Sequence, residues 1–457
     1  MEGYSAYRVK ICEYNRIFRQ TTELYRLAVK FFLSVAEREW DSLSGLDSNR
    51  KNNQMEKLTI ATKKRPQVPY DFGKQFYKFP SYLRRSAIRE AVGAVASYRS
   101  RMDAWENADR NGRGRKPGRP KVGRVFPVFY HNNTFIRTGE CTARIKVFTR
   151  NTWDWLDIRL KKTDVDYIRK HCSDRVECSP VLEQRGKEWF LVFPFKEKYS
   201  LTDRPLREQT VLGVDLGINQ ACVCTTMKAD GTIAGRSFQK LPAEKDRLDK
   251  AVGHIKKAQQ HGAARTPRLW SLAKGINDDI AVKTAAFIIE EAIKNHVDVI
   301  VFEHLELGGK KRGSKKQKLH LWKARYVQNM VTQKAHRLGI RIRRVNAWGT
   351  SRLAYDGSGE VERGIEGNYS ICRFSTGKFY HCDLNASYNI GARYFIGQYI
   401  KSMPETARLA MEAKVPACAK RSTCTLSTLI SLYAELYPES GAVTESGLYG
   451  GKEILSA

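Results

Sequence analysis

The sequence has few acidic residues for its number of basic ones, no long apolar run and no CxxC cysteine pair. Its 457 residues include 80 Lys and Arg against 48 Asp and Glu. No apolar run approaches the ~18 residues of a membrane helix, and the first residues lack a signal-peptide pattern. The ten cysteines are too dilute for a disulfide framework. These absences predict a soluble, intracellular protein with reduced thiols and no membrane contact.

What is abundant is positive charge. The formal net charge of +32 repels itself in a compact protein, so it indicates a polyanionic partner, most simply nucleic acid. The content of 42% hydrophobic and 11% aromatic residues is enough for sizeable cores and excludes a disordered basic tail. At ~150 residues per domain, the length predicts two to four domains.

The first half of the chain reads as a strand, a helical segment and a β-rich segment. Alternation predicts a strand over Tyr7 to Tyr14, and apolar steps of three and four residues then predict helices. The stretch from Phe72 to Phe79 interleaves cations with aromatics, which suits either stacked bases and phosphates or a loop with core aromatics. Aromatic and β-branched runs predict a β module over 125–200, which with the opening strand could form one barrel.

A basic segment separates the predicted helices from the β module. Arg110 to Arg124 holds seven basic residues among glycines and prolines and no acid, which excludes a regular helix. Its core, Pro117 to Lys121, is similar to an AT-hook that inserts an arginine into the minor groove. A loop that contacts phosphates and a solvated linker are the alternatives. The candidate nucleic-acid-binding residues here are Arg113, Arg115, Lys116, Arg119 and Lys121.

From residue 211 onward, strands and helices alternate, which predicts an α/β layer arrangement. The predicted strands are Val211–Asp215, Ala221–Thr226, Gly231–Phe238, Val297–Phe302 and 340–346, and the predicted helices are 244–261, 268–295, 322–338 and one beginning near Leu384. An irregular glycine-rich segment is expected over 349–378. The tail 399–457 has six basic and six acidic residues, so the whole net charge lies in 1–398.

Three carboxylates are placed where they can converge. Asp215 and Glu303 each end an apolar strand, and Asp383 opens a helix at the position expected of an N-cap. A turn residue or a helix cap is the ordinary role of each one alone. Together they fit phosphodiester cleavage by two divalent metals held ~3.5–4 Å apart, because carboxyl ends of strands gather ligands and Mg²⁺ prefers oxygen ligands.

Three segments around these carboxylates carry a family resemblance. They are Val-Asp-Leu-Gly-Ile-Asn-Gln at 214–220, Val-Ile-Val-Phe-Glu-His-Leu at 299–305 and Asp-Leu-Asn-Ala-Ser-Tyr-Asn-Ile at 383–390. In order and spacing they resemble a RuvC-type, RNase H-like nuclease domain, and more narrowly the TnpB family of transposon-encoded RNA-guided nucleases and the related compact type V CRISPR effectors. The resemblance covers roughly 205–398.

The resemblance implies a multi-domain α/β fold. It consists of a wedge-like β-barrel module (1–12 and 125–205), a helical recognition insertion (13–124), a RuvC-like nuclease domain (206–348 and 379–398) with a degenerate zinc-ribbon-like, target-nucleic-acid-binding insertion (349–378), and a C-terminal tail (399–457). It also implies that Asp215, Glu303 and Asp383 bind two Mg²⁺ ions, with Mn²⁺ as a substitute, and are catalytic.

One departure from the family concerns zinc. Relatives usually open a zinc ribbon with Thr-Ser-x-x-Cys-x-x-Cys, but here Thr350-Ser351-Arg352-Leu353 is followed by Ala354 and Gly357 at those cysteine positions. Cys372 and Cys382 are too far apart in sequence for a CxxC knuckle, and a structural zinc usually needs four ligands. A metal-free remnant without zinc is therefore expected.

A second basic segment follows Glu303. Lys310 to Arg325 holds eight basic residues and no acid, and it is either a lid that draws a single strand toward the metals or solvated charge. In the family this region gates substrate access. The candidate nucleic-acid-binding residues here are Lys310, Lys311, Arg312, Lys315 and Lys316.

The leading functional hypothesis is an RNA-guided, metal-dependent DNA endonuclease. The resemblance implies a guide RNA, a short flanking DNA motif and a double-stranded target opened into an R-loop whose strands are cut in turn by one site. An RNA-guided repressor with little cleavage and a guide-independent resolvase are the alternatives. We expect a monomer in the cytoplasm of a prokaryotic cell.

Overall fold

The computed structural model describes residues 1–13, 16–108, 114–217, 220–305, 322–365 and 367–438. The chain forms two compact units, Glu2–Lys198 and a second unit of Met1 with Tyr199–Ala457. Within the described ranges, no helix is long and apolar enough to cross a membrane. Helices and strands alternate in the second unit and are partly segregated in the first, so the predicted mixed α/β, multi-domain fold is confirmed.

The unit Glu2–Lys198 inserts a group of helices between its first strand and its other strands. The inserted helices are α1 (Arg16–Arg38), α2 (Trp40–Leu43), α3 (Ser48–Thr59), α4 (Phe72–Gln75) and α5 (Ser81–Glu106), and a further helix, α6 (Lys162–Cys172), follows the fourth strand. The strands are β1 (Glu2–Lys10), β2 (Phe135–Arg137), β3 (Thr142–Thr149), β4 (Thr152–Arg159), β5 (Val176–Glu177), β6 (Val181–Arg185) and β7 (Glu188–Lys198). The predicted helical insertion between an opening strand and a β module is thus present.

The strands of this unit form two sheets. In the first, β7 pairs with β1, β5 and β6, and in the second, β3 lies between β2 and β4. The predicted opening strand Tyr7 to Tyr14 was misplaced, because β1 follows its antiparallel partner β7 from Glu2 to Lys10. An isolated bridge from Ile11 to Leu160 then links the two sheets.

The aromatic stretch from Phe72 to Phe79 belongs to the core of this unit. The Phe72 ring stacks on Phe32 with centroids 4.7 Å apart and on Phe76 at 4.5 Å. Phe72 and Phe79 are buried together with the apolar faces of α1 and α5. Of the two interpretations of this stretch, the structure therefore supports core aromatics rather than a surface for stacked bases.

The second unit is built on a five-stranded sheet in the order β10-β9-β8-β11-β12. Its strands are β8 (Thr210–Asp215), β9 (Cys222–Lys228), β10 (Ile233–Gln239), β11 (Val299–His304) and β12 (Arg341–Asn346). The helices are α7 (Pro242–Gln260), α8 (Pro267–Lys294), α9 (Ala324–Arg337), α10 (Cys382–Ser402), α11 (Glu405–Lys414) and α12 (Leu426–Leu436). All five predicted strands and the predicted helices are present, with ends shifted by a few residues.

Alternation along the central strands creates two cores, one on each face of the sheet. Leu212 and Val214 of β8 pack with α8 and α9, while Val211 packs with α10 and α12. On β11, Ile300 and Phe302 share the first face and Val299 and Val301 the second. Because both faces are covered, these strands read as continuous apolar runs.

The segment predicted to be irregular, 349–378, contains most of a small sheet. β13 (Glu362–Ile365), β14 (Asn368–Arg373) and β15 (Phe379–His381) pair in that order, antiparallel. Gly364, Gly367 and Gly377 have left-handed backbone conformations at irregular points and turns of this sheet. Because glycines interrupt the alternating pattern, the sequence did not predict these strands. Helix α10 continues through Ser402, past the predicted boundary at 398.

Candidate active site at the carboxyl edge of the sheet

Two of the three predicted carboxylates are brought together by strand register. The strands β8 and β11 are parallel and pair Val214 with Phe302. Asp215 and Glu303 are the next residues along each strand, so both lie at the carboxyl edge of the sheet. Alternation also places them on the face that α10 covers, since Val214 and Phe302 point to the opposite core.

The third carboxylate arrives on helix α10, which lies close against β8. A Cβ on Gly213 would stand 2.5 Å from the Ser387 carbonyl oxygen and 3.0 Å from the Gly391 amide nitrogen. Only glycine permits this approach of strand and helix. The close contact carries the first turn of α10, and with it Asp383, to the sheet edge.

Asp383 is not the N-cap that the sequence predicted. The helix begins at Cys382, and the cap residue is His381, whose Nδ1 accepts a hydrogen bond from the Leu384 amide at 3.4 Å. Because an imidazole takes the capping role, the Asp383 carboxylate is not needed for it. An acidic residue in the first turn is also favourably placed at the positive end of the helix dipole.

The charges of Glu303 and Asp383 both act on Asp215. Desolvation raises the pKa of Asp215 well above its usual value, and the negative charges of Glu303 and Asp383 raise it further. The positive charge of Arg363, on β13, opposes this rise. Desolvation also raises the pKa of Glu303, against a hydrogen bond from Thr350 and the charge of Arg393. Asp215 and Glu303 therefore hold their protons more tightly than they would in water.

Thr350 is the direct partner of Glu303. Its hydroxyl contacts Glu303 Oε1 and lies 2.9 Å from the Ala347 carbonyl oxygen. The Thr350 carbonyl in turn accepts a hydrogen bond from Asn389 Nδ2 at 3.0 Å. Since Thr350 and Asn389 are both buried, this chain fixes the Glu303 carboxylate relative to α10.

The buried Arg393 organises the backbone behind Glu303. Its guanidinium donates to four carbonyl oxygens, those of Cys424 at 3.0 Å and of Asn346, Trp348 and Ser422 at 2.8 Å each. Burial lowers the pKa of Arg393, and the charge of Glu303 opposes that effect. Arg393 thus joins the end of β12 to the segment before α12 and places a positive charge near Glu303.

A thiol pair lies beside Asp383. Cys372 on β14 and Cys382 at the start of α10 form a hydrogen bond, and Arg363 Nε lies 3.4 Å from Cys382 Sγ. The hydrogen bond from Cys372, together with Arg363, lowers the pKa of the Cys382 thiol to about 6. These are the two cysteines left at the predicted zinc-ribbon remnant.

The donor set suits a hard divalent cation. Asp215, Glu303 and Asp383 offer carboxylate oxygens, the ligands that Mg²⁺ prefers, and their mutual repulsion is what a bound cation relieves. Within the described residues, no group of three or more His, Cys, Asp or Glu side chains is gathered closely enough to hold a metal. The carboxylates are therefore close enough to interact electrostatically but not close enough to share one cation. Binding a cation between them requires their side chains to move.

A family profile identifies the region that carries β12, the small sheet and Asp383. Residues 325–390 match the Cas12f1-like TNB domain. The predicted resemblance to TnpB and compact type V proteins is thereby confirmed.

Other comparisons concern the first half and the fold as a whole. Residues 5–149 match the Aq_aa04 family. An uncharacterized protein of that name from Aquifex aeolicus (strain VF5) is 29% identical over 120 residues, covering 24% of this chain and 67% of the relative. A Cas12f1–sgRNA–target DNA complex matches with 15% identity, 82% of this chain, 81% of that chain and a TM-score of 0.48. The mini-RNA-guided endonuclease CRISPR-Cas_phi3 matches with 10% identity, covering 85% of this chain and 92% of that chain, with a TM-score of 0.49.

The predicted nucleic-acid-binding residues are only partly described. Arg115, Lys116, Arg119 and Lys121 are exposed on a segment without helix or strand, as expected from its glycines and prolines. The Lys116 ammonium lies 5.5 Å from the centre of the Trp105 ring, which ties this segment to the end of α5. The others, Arg113, Lys310, Lys311, Arg312, Lys315 and Lys316, lie outside the described residues.

Sequence reasoning missed the residues that hold the carboxylates in place. In the sequence, Thr350 stands out only as the opening of a zinc-ribbon pattern, although it contacts Glu303. Asn385 and Asn389 are spaced four apart among mostly apolar and small residues of α10, which indicates one buried polar face. That spacing was the available signal, whereas nothing in the sequence pointed to Gly213 as a contact of α10.

Proposed function

We propose that this protein is an RNA-guided, metal-dependent DNA endonuclease. The observation that carries the proposal is the convergence of Asp215, Glu303 and Asp383 from two paired strands and one helix, in a chain that contains a Cas12f1-like TNB domain. The net charge of +32 supports polyanionic partners, since a guide RNA and a target duplex both need neutralisation.

The chain's own residues would position the carboxylates for hydrolysis. Gly213 allows α10 to bring Asp383 against the sheet, and Thr350 holds Glu303 through a hydroxyl contact. Arg393 fixes the backbone on either side of that contact and supplies a nearby positive charge. Two Mg²⁺ ions bound by the three carboxylates would supply water activation and stabilisation of the leaving oxygen.

The proposed guide RNA and target DNA are inferred from the resemblance to RNA-guided nucleases. We infer a bound guide RNA that pairs with one target strand, a short flanking motif read by the protein, and an R-loop whose strands pass in turn to this single site. The basic segments 110–124 and 310–325 are the proposed contacts to these strands. We further propose that the active species is a monomer in the cytoplasm of a prokaryotic cell.

The test combines RNA identification with a cleavage assay. The protein is purified from cells that also express its native flanking DNA, and the RNA that comes with it is sequenced. The complex is then incubated with Mg²⁺ and a matched target, beside Asp215→Ala and a control variant Asp246→Ala, whose exposed carboxylate lies on α7. We expect the wild type and Asp246→Ala to cut the target and Asp215→Ala to bind it without cutting.

Other outcomes separate the alternatives. Guided binding without cut ends in the wild type would favour a repressor. Cleavage of branched DNA without any co-purifying RNA would favour a resolvase. Cleavage by Asp215→Ala at the wild-type rate would remove this residue from the site.

A further inference from the structure

A second candidate site lies along the C-terminal half of helix α10, away from the first turn that carries Asp383. A cavity of about 600 Å³ opens between β12, α10, α11 and the segment before α12. Its volume falls within the range of sites that bind small ligands or parts of larger ones, about 300–1,000 Å³. None of the candidate residues derived from the sequence lies in it.

The lining of this cavity is strongly basic. It includes six cations and no acidic residue: Arg343, Arg344, Arg393, Lys401, Arg408 and Arg421. The cations come from β12, α10, α11 and the segment before α12, so the concentration of charge is a product of the fold and not of a sequence run. Such a cluster is self-repulsive unless an anion occupies it.

Most of this charge is not neutralised by the protein. Within the described part of the chain, Arg343, Lys401 and Arg421 form no ion pair, and all three are exposed at the cavity. Arg408 has carboxylates of Glu405 and Glu412 at 3.6 Å, yet its buried Nε lacks a hydrogen-bond acceptor.

The cavity also has a rigid base next to the candidate active site. Arg393, only 6% exposed, is held there by its four carbonyl acceptors. The strand β12, which contributes Arg343, pairs Val345 with Glu303. An anion in the cavity is therefore one strand away from the carboxylate edge.

We propose that this cavity binds the phosphate groups of a single nucleic-acid strand. Several exposed cations on separate parts of the fold suit successive phosphates better than one small anion. The inference rests on the proposed function for the identity of the strand. It assigns a binding role to Lys401, Arg408 and Arg421, which belong to a tail whose net charge is zero.

The test measures binding in EDTA, so that its result does not depend on cleavage. The full chain is titrated into a fluorescent single-stranded oligonucleotide of about 12 nucleotides at several salt concentrations. The variant is Arg343→Gln with Lys401→Gln and Arg421→Gln. The matched control removes the same charge from exposed positions of α7, with Lys250→Gln, Lys256→Gln and Lys257→Gln.

For single strands, each lost phosphate contact reduces the slope of log affinity against log salt concentration by about 0.7. The triple variant should therefore have a slope smaller by about 2 and should bind about 50-fold more weakly at 0.15 M salt. Arg421→Gln alone should bind the oligonucleotide about 4-fold more weakly. The α7 control variant should lose much less affinity for the oligonucleotide. The melting temperature of the triple variant should be equal to the wild type or higher, because removing unpaired cations relieves repulsion.

Equal losses in the triple variant and the control would overturn the proposal. Two competitors test the ligand. Deoxyadenosine monophosphate should displace the oligonucleotide only at far higher concentration, and an acidic peptide should not displace it. Competition by the monophosphate at the oligonucleotide's own concentration would indicate a site for a single terminal phosphate and overturn the assignment to a strand. Equally tight competition by the peptide would overturn it as well.

Discussion

The carboxylate edge and the basic cavity are opposite in sign but alike in one respect. At the edge, desolvation and the charges of Glu303 and Asp383 raise the pKa of Asp215, and only Arg363 opposes that rise. In the cavity, Arg343, Lys401 and Arg421 gather without ion-pair partners among the described residues. Both arrangements cost folding free energy in the isolated protein, and each is relieved by a ligand of the opposite charge.

Helix α10 joins the two regions. Its first turn carries Asp383, and it contributes Arg393 and Lys401 to the cavity nearer its other end. At 1.5 Å per residue, Asp383 and Arg393 are about 15 Å apart along the helix axis. The proposed metal at one end and the proposed phosphate at the other would both stabilise this helix. Changes at the carboxylate edge should therefore affect catalysis first and stability second.

The largest expected effect is that of Asp215→Asn on cleavage. Replacing a partner of a metal ligand already costs about 10–100-fold, so losing a ligand should cost more than about 100-fold. The same variant should melt at a higher temperature than the wild type in EDTA at neutral pH, because it removes one of three like charges. Cleavage rate and melting temperature are measured together, with Asp246→Asn as the control. A lower melting temperature would show that the carboxylates do not repel one another.

The next effect is that of Gly213→Ala on stability and on cleavage. The added methyl group would meet the Ser387 carbonyl at 2.5 Å, so strand and helix must separate. Overpacking of this kind costs about 1–3 kcal/mol, and the displacement of Asp383 should reduce cleavage as well.

The control for that change is Gly253→Ala on α7, where the new methyl group has nothing within 4 Å. Alanine at an open helical position should stabilise the protein by about 0.5–1 kcal/mol. Chemical denaturation of both variants gives the comparison. Equal stabilities would mean that Gly213 is not needed for the approach of α10.

The sequence predicted the buried strands of the large sheet well, but it did not predict the small polar sheet or the tertiary contacts. Apolar runs fixed the positions of β8, β9 and β11, and an acid after each of two such runs was enough to nominate Asp215 and Glu303. Strands β13 and β14 were missed because Glu362–Ile365 and Asn368–Arg373 are polar and joined by a glycine turn. The cavity was also out of reach, since its cations are far apart in sequence and only tertiary packing brings them together.

A smaller effect is expected for Thr350→Val, which keeps the shape of the side chain and removes its hydroxyl. Glu303 would lose the partner that orients it, so cleavage should fall about 10–100-fold, as for other outer partners of metal ligands. Because that hydrogen bond lowers the pKa of Glu303, its loss should also move the acid limb of the pH–rate profile upward. Thr350→Ser retains the hydroxyl and should recover most of the activity and the original profile. Failure of serine to do so would indicate that the methyl group, not the hydroxyl, matters.

The last prediction concerns the pH dependence of stability without metal, where the change is spread over several pH units. The pKa of Asp215 is raised in the folded state, so between its unfolded value near 3.9 and its folded value the folded protein binds more protons than the unfolded chain. Stability from this group is then greatest at low pH and falls as the pH rises, by at most about 1.4 kcal/mol per pH unit. The difference in melting temperature between Asp215→Asn and the wild type should therefore widen from pH 4 toward neutral in EDTA. Saturating Mg²⁺ should remove the widening, because a bound cation keeps the carboxylates ionised without repulsion. A difference that narrows with rising pH would mean that Asp215 is stabilised, not strained, by its neighbours.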